Sequence, residues 1–317
     1  MSLKLTEIQK NRLKSLDPQF KSAIAERRLD VAKIVIRDIR DVLNQTNNKT
    51  KLSQYKNQLY ELALDSGDYD FAEKGFLEVR HLVNSTTRIH LEATALLAIC
   101  YLRTEKYEES KVYIEEVLKN DKVIKTERTR NSFKKNIIQR FDEEVALFSL
   151  RDKTNYAKYD IDELETEAIK LIQSKNEDEL FEHLGQNTPQ HTKQLIYIID
   201  EFSKKQLTYR ERKLLPSPEE AIKDKEAGRT VFASFKRVIY NSLCDPKSEV
   251  YKAWYTNGAS AVLDKKYLIA AISGALAEIS ICIKALIVSA IALVIRFSLD
   301  VYCDRYKPIS VIEIRKQ

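Results

Sequence analysis

Only six glycines and six prolines are spread over 317 residues, and that scarcity constrains the fold more than any motif does. A sheet-rich protein needs turn residues about every ten positions. The supply is far too small here, so helices joined by short polar connections are the expected architecture. A core is within reach, because 44% of the residues are hydrophobic and 32% are charged to cover it. The length suits two domains at about 100–200 residues each.

The front of the chain repeats. LYELALDSGDYDFAEKGFLEV places Ala63, Gly67, Tyr69, Ala72, Phe76 and Val79 in one pattern. LLAICYLRTEKYEESKVYIEEVLKND gives Ala98, Tyr101, Tyr107, Ser110, Ile114 and Val117, and the weaker FKSAIAERRLDVAKIVIRDI gives Ala23, Leu29, Ala32, Ile36 and Ile39. Each part has a physical role. Leu29, Tyr69 or Tyr107 opens the second helix of a hairpin and packs on the first. A small residue three positions on (Ala32, Ala72, Ser110) lets the two helices approach closely. The large residues four and seven beyond it, Phe76 and Val79 in the second copy, lie one turn apart on one face.

With "Gly67-Asp68-Tyr69…Ala72…Phe76" as its best local match, residues 18–120 resemble a TPR-type helical repeat. The spacing exceeds the usual period of about 34 residues, and the early Trp and closing Pro of that family's pattern are absent. The resemblance implies stacked helix hairpins that bind a protein or peptide partner, without naming contact residues.

The middle of the chain reads as charged helices. Ile124, Ile137, Ile138, Phe141, Val145 and Phe148 recur at helical spacing, and Asp160 is placed to N-cap another helix with Glu163 three positions on. Pro216 and Pro218 mark the best linker, near 204–218. Lys204, Lys205, Arg210, Arg212 and Lys213 surround Tyr209, a cluster that fits a phosphate backbone or a membrane surface, or simply a solvated loop. The net charge of +6 is too small an excess to point to nucleic acid.

The common phosphate-cradling, metalloprotease and nucleophile-elbow motifs are absent from the sequence. Neighbouring acids such as Glu143 and Glu144 point to different helix faces and read as solvated charges. No enzyme, cofactor or metal is therefore expected. Cys100, Cys244, Cys282 and Cys303 match no metal-ligand spacing and are expected to stay reduced. The amphipathic N-terminus lacks the apolar core of a signal peptide, which places the bulk of the chain in the cytoplasm.

The back end carries YLIAAISGALAEISICIKALIVSAIALVIRFSL, residues 267–299, whose charges are Glu278, Lys284 and Arg296. As one helix this run would reach roughly 50 Å, beyond a hydrocarbon core of about 30 Å. Twelve strongly apolar residues in 279–299 would contribute roughly −4 to −7 kcal/mol to insertion, and Lys284 and Arg296 lie where they can snorkel. A helix that is apolar all round belongs in a membrane or buried in a large core.

The sequence thus predicts an all-α protein. A TPR-like helical repeat domain (1–153) leads into a charged helical middle region (154–245), then a C-terminal region (246–317) with one long apolar helix at 267–299. This plan is similar in architecture to membrane-acting effectors of bacterial antiviral defence, including retron accessory and abortive-infection proteins. That similarity implies a non-enzymatic effector at the inner membrane, restrained by a protein partner, with its helix inserting as a homo-oligomer. The alternative is a TPR-type binding scaffold with 267–299 in its core.

Overall fold

The computed structural model describes residues 5–44, 48–120, 123–152, 159–245, 248–256, 265–307 and 311. Among them are sixteen α-helices, a 3-10 turn at Pro218–Ile222 and no strand. The chain divides into two compact units, one running to Ile137 and including Val311, the other spanning Ile138–Ser310. The anticipated boundaries at 153/154 and 245/246 both fall within the second unit.

The first unit is built from three consecutive helix hairpins: α1 (Glu7–Ala25) with α2 (Leu29–Asn44), α3 (Lys49–Asp65) with α4 (Tyr69–Leu82), and α5 (Arg88–Arg103) with α6 (Tyr107–Lys119). All three turns have the same length and hydrogen bonding. The middle residue has positive φ: Arg27 at 55°, Gly67 at 81° and Glu105 at 62°. The next N–H reaches five residues back, from Arg28 to Ala23, Asp68 to Ala63 and Lys106 to Tyr101, each at 2.9 Å. This is the left-handed C-terminal stop that satisfies a helix's last carbonyls. Tyr101 therefore takes the place of Ala23 and Ala63, while Ala98 lies one turn earlier and is wholly buried.

Close packing follows from residue size. Ala32, Ala72 and Ser110 have no exposed surface, nor does Phe76, and Tyr69 and Tyr107 are half-buried at the start of α4 and α6. Buried Arg103 on α5 donates to the Leu64 carbonyl at 2.8 Å and pairs with Asp65 at 2.9 Å. It thereby adds a second donor to the Leu64 carbonyl, which also accepts from the Gly67 N–H in the last turn of α3.

Helix α7 (Glu127–Ser149) contains the division between the units. The second unit continues with α8 (Ile161–Ser174), α9 (Glu177–Gln186), α10 (Gln190–Lys205), the short α11 (Tyr209–Arg212), α12 (Asp224–Leu243) and α13 (Glu249–Thr256). Helices α14 (Lys265–Glu278), α15 (Lys284–Phe297) and α16 (Leu299–Arg305) complete it. Asp160 caps α8, accepting from the amides of Asp162 and Glu163. Helices α9 and α12 meet backbone to backbone: a Cβ at Gly185 would lie 1.7 Å from the Asp224 carbonyl oxygen, and one at Gly228 would lie 1.9 Å from that of Phe181.

The expected single helix over 267–299 is not present. The run breaks after Glu278, and α14 and α15 pack against each other. At the break Ser280 has φ 65°, and Ile281 N–H reaches back to Leu276 at 3.0 Å, repeating the stop seen in the hairpin turns. A distant segment holds it there. Arg151 Nε donates to the Ile279 carbonyl at 3.1 Å and Asp152 N–H to that of Ser280 at 2.8 Å, beside an antiparallel bridge between Arg151 and Ile281. Helix α15 is buried from Leu286 to Val294 and packs against α8, α9 and α16. No helix among the described residues is long and apolar enough to cross a membrane, so the expected transmembrane helix is corrected to two shorter helices, α14 buried on one face and α15 buried along most of its length.

A second correction concerns the cysteines. Cys244 and Cys303 form a disulfide with their Cα atoms 5.4 Å apart, while Cys100 and Cys282 remain thiols. Burial pushes the Cys100 thiol up to about 12.

Candidate functional site

Two of the grooves formed by the described residues lie in the hairpin unit, and both carry an excess of positive charge. The larger, about 520 Å³, lies between the first helices of the first two hairpins. Helix α1 contributes Lys10, Lys14, Asp17 and Lys21, and α3 contributes Lys51, Gln54, Tyr55 and Gln58, over an apolar floor of Leu5 and Leu13. The amphipathic spacing of the two helices sends Leu13, Leu16 and Phe20, and likewise Leu52, Tyr55 and Leu59, into the core. The polar residues between them are left along the groove's rim.

Asp17 organises the centre. Tyr55 donates its hydroxyl to Asp17 Oδ1 at 2.6 Å, and Lys21 Nζ lies 2.7 Å from Oδ2. Burial alone would raise the Asp17 carboxyl, but these hydrogen bonds and the charges of Lys21 and Lys51 hold it below the usual range. Burial and Asp17 together push the Tyr55 hydroxyl up. Lys10 pairs with Glu7 at 2.6 Å. Lys14, Gln54 and Gln58 make no hydrogen bond or ion pair among the described residues, and Lys51 acts on Asp17 only through space. The groove thus offers two uncompensated ammonium groups and two open amides above an apolar floor.

The smaller groove, about 440 Å³, has Lys33, Arg37 and Arg40 along α2 and Lys56 on α3. Its charges are largely spoken for. Lys33 pairs with Asp68 at 2.9 Å and lies 4.1 Å from the Phe71 ring centre, and Lys56 pairs with Glu78.

The charges singled out in the apolar run are not brought together. Glu278 is the exposed last residue of α14. Lys284 opens α15 and pairs with Glu163 at 2.5 Å and Glu167 at 2.7 Å, and these carboxylates raise its pKa. Arg296 donates to the carbonyls of Ile172 and Lys175 at the end of α8. The basic cluster at 204–213 is dispersed as well: Lys204 is buried against Asp200, Lys205 pairs with Glu201, and Lys213 lies over the Tyr209 ring.

Sequence reasoning missed a buried ionic cluster joining α7, α10 and α12. Glu144, 1% exposed, accepts from Arg140 at 2.7 Å and Arg237 at 3.0 Å. Burial and the Asp200 charge hold the Asp142 carboxyl well above its ordinary range, and Lys204 donates to Asp200 at 2.7 Å. Burial pushes Glu143 up to about 7, against the pull of Arg140 and Lys236. The available signal was three consecutive acids set between Phe141 and Val145, which face the core.

No group of three or more His, Cys, Asp or Glu among the described residues is placed to hold a metal ion. The chain matches no protein-family model, no curated protein and no solved structure.

Proposed function

We propose that this protein is a non-enzymatic, TPR-like binding scaffold whose groove between α1 and α3 takes an acidic segment of a protein partner. The observation that carries this reading is the pairing of uncompensated Lys14 and Lys51 with open Gln54 and Gln58 amides over an apolar floor. Carboxylates of a partner would meet the lysines, its backbone the amides, and its apolar side chains Leu5 and Leu13. Charge complementarity of this kind sets specificity and association rate more than raw affinity. The test is fluorescence anisotropy with a labelled peptide alternating Glu and Leu, read at several salt concentrations. Lys14→Glu with Lys51→Glu should weaken binding by about tenfold or more and flatten its salt dependence. Equal binding by the double variant, or none by the unaltered chain, would sink the reading.

A second reading, the membrane-inserting defence effector, is favoured by one observation: from Leu286 to Val294 α15 is apolar at every position but Ser289. It requires α14 and α15 to leave α8, α9 and α12 and join into a longer helix. Dye release from vesicles of anionic lipid is its test, and intact vesicles after partial unfolding of the second unit would rule it out.

A further inference from the structure

The disulfide joins the end of α12 to α16 and spans 59 residues, enclosing α13, α14 and α15. Helix α16 is only seven residues long and begins just after Ser298, whose φ of 63° breaks it from α15. Its other attachments are few. The Tyr302 hydroxyl donates to the Lys236 carbonyl at 3.1 Å. Tyr302 and Tyr306 close an aromatic cluster with Phe232 and Phe297, at ring separations of 5.0–6.4 Å. Val301, Asp304 and Arg305 face outward, and the Arg305 guanidinium lies 5.7 Å from the Tyr306 ring centre. The two sulfurs also differ in access: Cys244 is 5% exposed, whereas Cys303 is only half-buried.

We propose that Cys244–Cys303 is a reversible clasp, opened by a dithiol reductant, that holds α16 over the aromatic end of the second unit. One thiolate of the dithiol attacks Cys303 Sγ, the accessible sulfur. The protein S–S bond breaks, a mixed disulfide forms, and Cys244 leaves as thiolate and takes up a proton. The second thiolate of the reductant then attacks its own sulfur in the mixed disulfide and releases Cys303 as a thiolate, which is protonated in turn. Two electrons pass to the protein, and the reductant departs as its disulfide. With the cross-link gone, a seven-residue helix retains, among the described residues, the Tyr302 hydrogen bond, its ring contacts and the Lys236 ammonium 4.5 Å from the Tyr306 ring centre, and it opens locally while the rest of the unit stays folded. Opening exposes Phe232 and Phe297 beside α15, so thiol redox state governs access to the most apolar part of the chain.

The experiment uses the full chain, air-oxidised and then treated with dithiothreitol. Thiol alkylation and peptide mass mapping identify the bond, and limited trypsin digestion at Arg305 and Lys307 reads the opening. The oxidised chain should alkylate at Cys100 and Cys282 only, after denaturation. Reduction should speed cleavage on the order of tenfold, with circular dichroism nearly unchanged and the effect reversed on reoxidation. Cys303→Ser should be cleaved at the reduced rate under all conditions. Equal cleavage rates before and after reduction would overturn the proposal, as would alkylation of all four cysteines in the oxidised chain. If Cys303→Ser does not fold, the reduction and reoxidation cycle on the unaltered chain decides alone.

Discussion

Replacing Gly228 with alanine tests the closest contact in the second unit. The added Cβ would lie 1.9 Å from the Phe181 carbonyl oxygen, where ordinary contact begins at 3.4 Å, so α9 and α12 must part by about 1.5 Å. A side chain could rotate away, but the obstructing atoms are backbone. A gap of 0.5–1 Å already forfeits about a quarter to a half of each dispersion contact, and the Phe181–Phe232 ring pair lies across this interface. Overpacking of a core costs about 1–3 kcal/mol, and a rigid obstruction belongs at the upper end. Alanine returns about 1 kcal/mol through helix propensity, leaving a net loss of about 2 kcal/mol or more. For a unit of this size that lowers Tm by roughly 4–8 °C. Gly274→Ala is the control, because nothing lies within 4 Å of its Cβ and the substitution should stabilise by about 0.5–1 kcal/mol. Urea denaturation of both variants reads the difference. A Gly228→Ala midpoint equal to that of the unaltered protein would refute the packing of α9 on α12.

Two further substitutions probe each unit separately. Glu143 is held near 7 in the fold against an ordinary 4.5, so the folded chain binds the proton more tightly and stability declines as pH rises between those values. Glu143→Gln should leave stability at pH 4 unchanged and raise it at pH 8 by at most about 3 kcal/mol; identical pH profiles from calorimetry would show that the carboxyl is not held in that environment. In the hairpin unit, Ala72 has no exposed surface. Ala72→Trp should therefore cost at least the ~1–3 kcal/mol of ordinary overpacking, and an unchanged melting temperature would contradict the close approach of α3 and α4.

The hairpins were legible because their determinants are local. Polar turns sit at 66–68 and 104–106, with small residues at fixed distance beyond them, and Gly67 suits a positive φ that Arg27 and Glu105 also adopt. The same stop at Ser280 was hidden because Ile-Ser-Ile inside an apolar run carries no turn signal, and its partner Arg151 is 128 residues away. Distance in sequence also hid the disulfide, whose cysteines are 59 apart, and the ionic cluster, whose partners come from three helices. The basic groove was missed for a different reason. Lysines at 10, 14, 21 and 51 look like solvated helix charges until α1 and α3 are set side by side.

Local electrostatics alone would not break the apolar run. The break puts Glu278 at the C-terminal end of α14 and Lys284 at the N-terminal end of α15, each opposed to the helix dipole. In one continuous helix both charges would sit mid-helix and escape that opposition. The turn must therefore be held by long-range contacts, and Arg151 supplies the charged donor among them, beside the Asp152 N–H on the Ser280 carbonyl and the Tyr159 hydroxyl on the Cys282 carbonyl. Arg151→Ala removes a charged donor from the Ile279 carbonyl, an interaction worth about 1.5–3 kcal/mol, and should destabilise the second unit by that amount. Lys284→Leu should do far less. It gives up ion pairs with Glu163 and Glu167 that are open to solvent, and it relieves the unfavourable charge at the start of α15. Urea titration of the two variants decides the matter. A loss on Lys284→Leu as large as that on Arg151→Ala would mean that the surface ion pairs hold the turn, whereas the expected order places the break under the control of a residue far away in sequence.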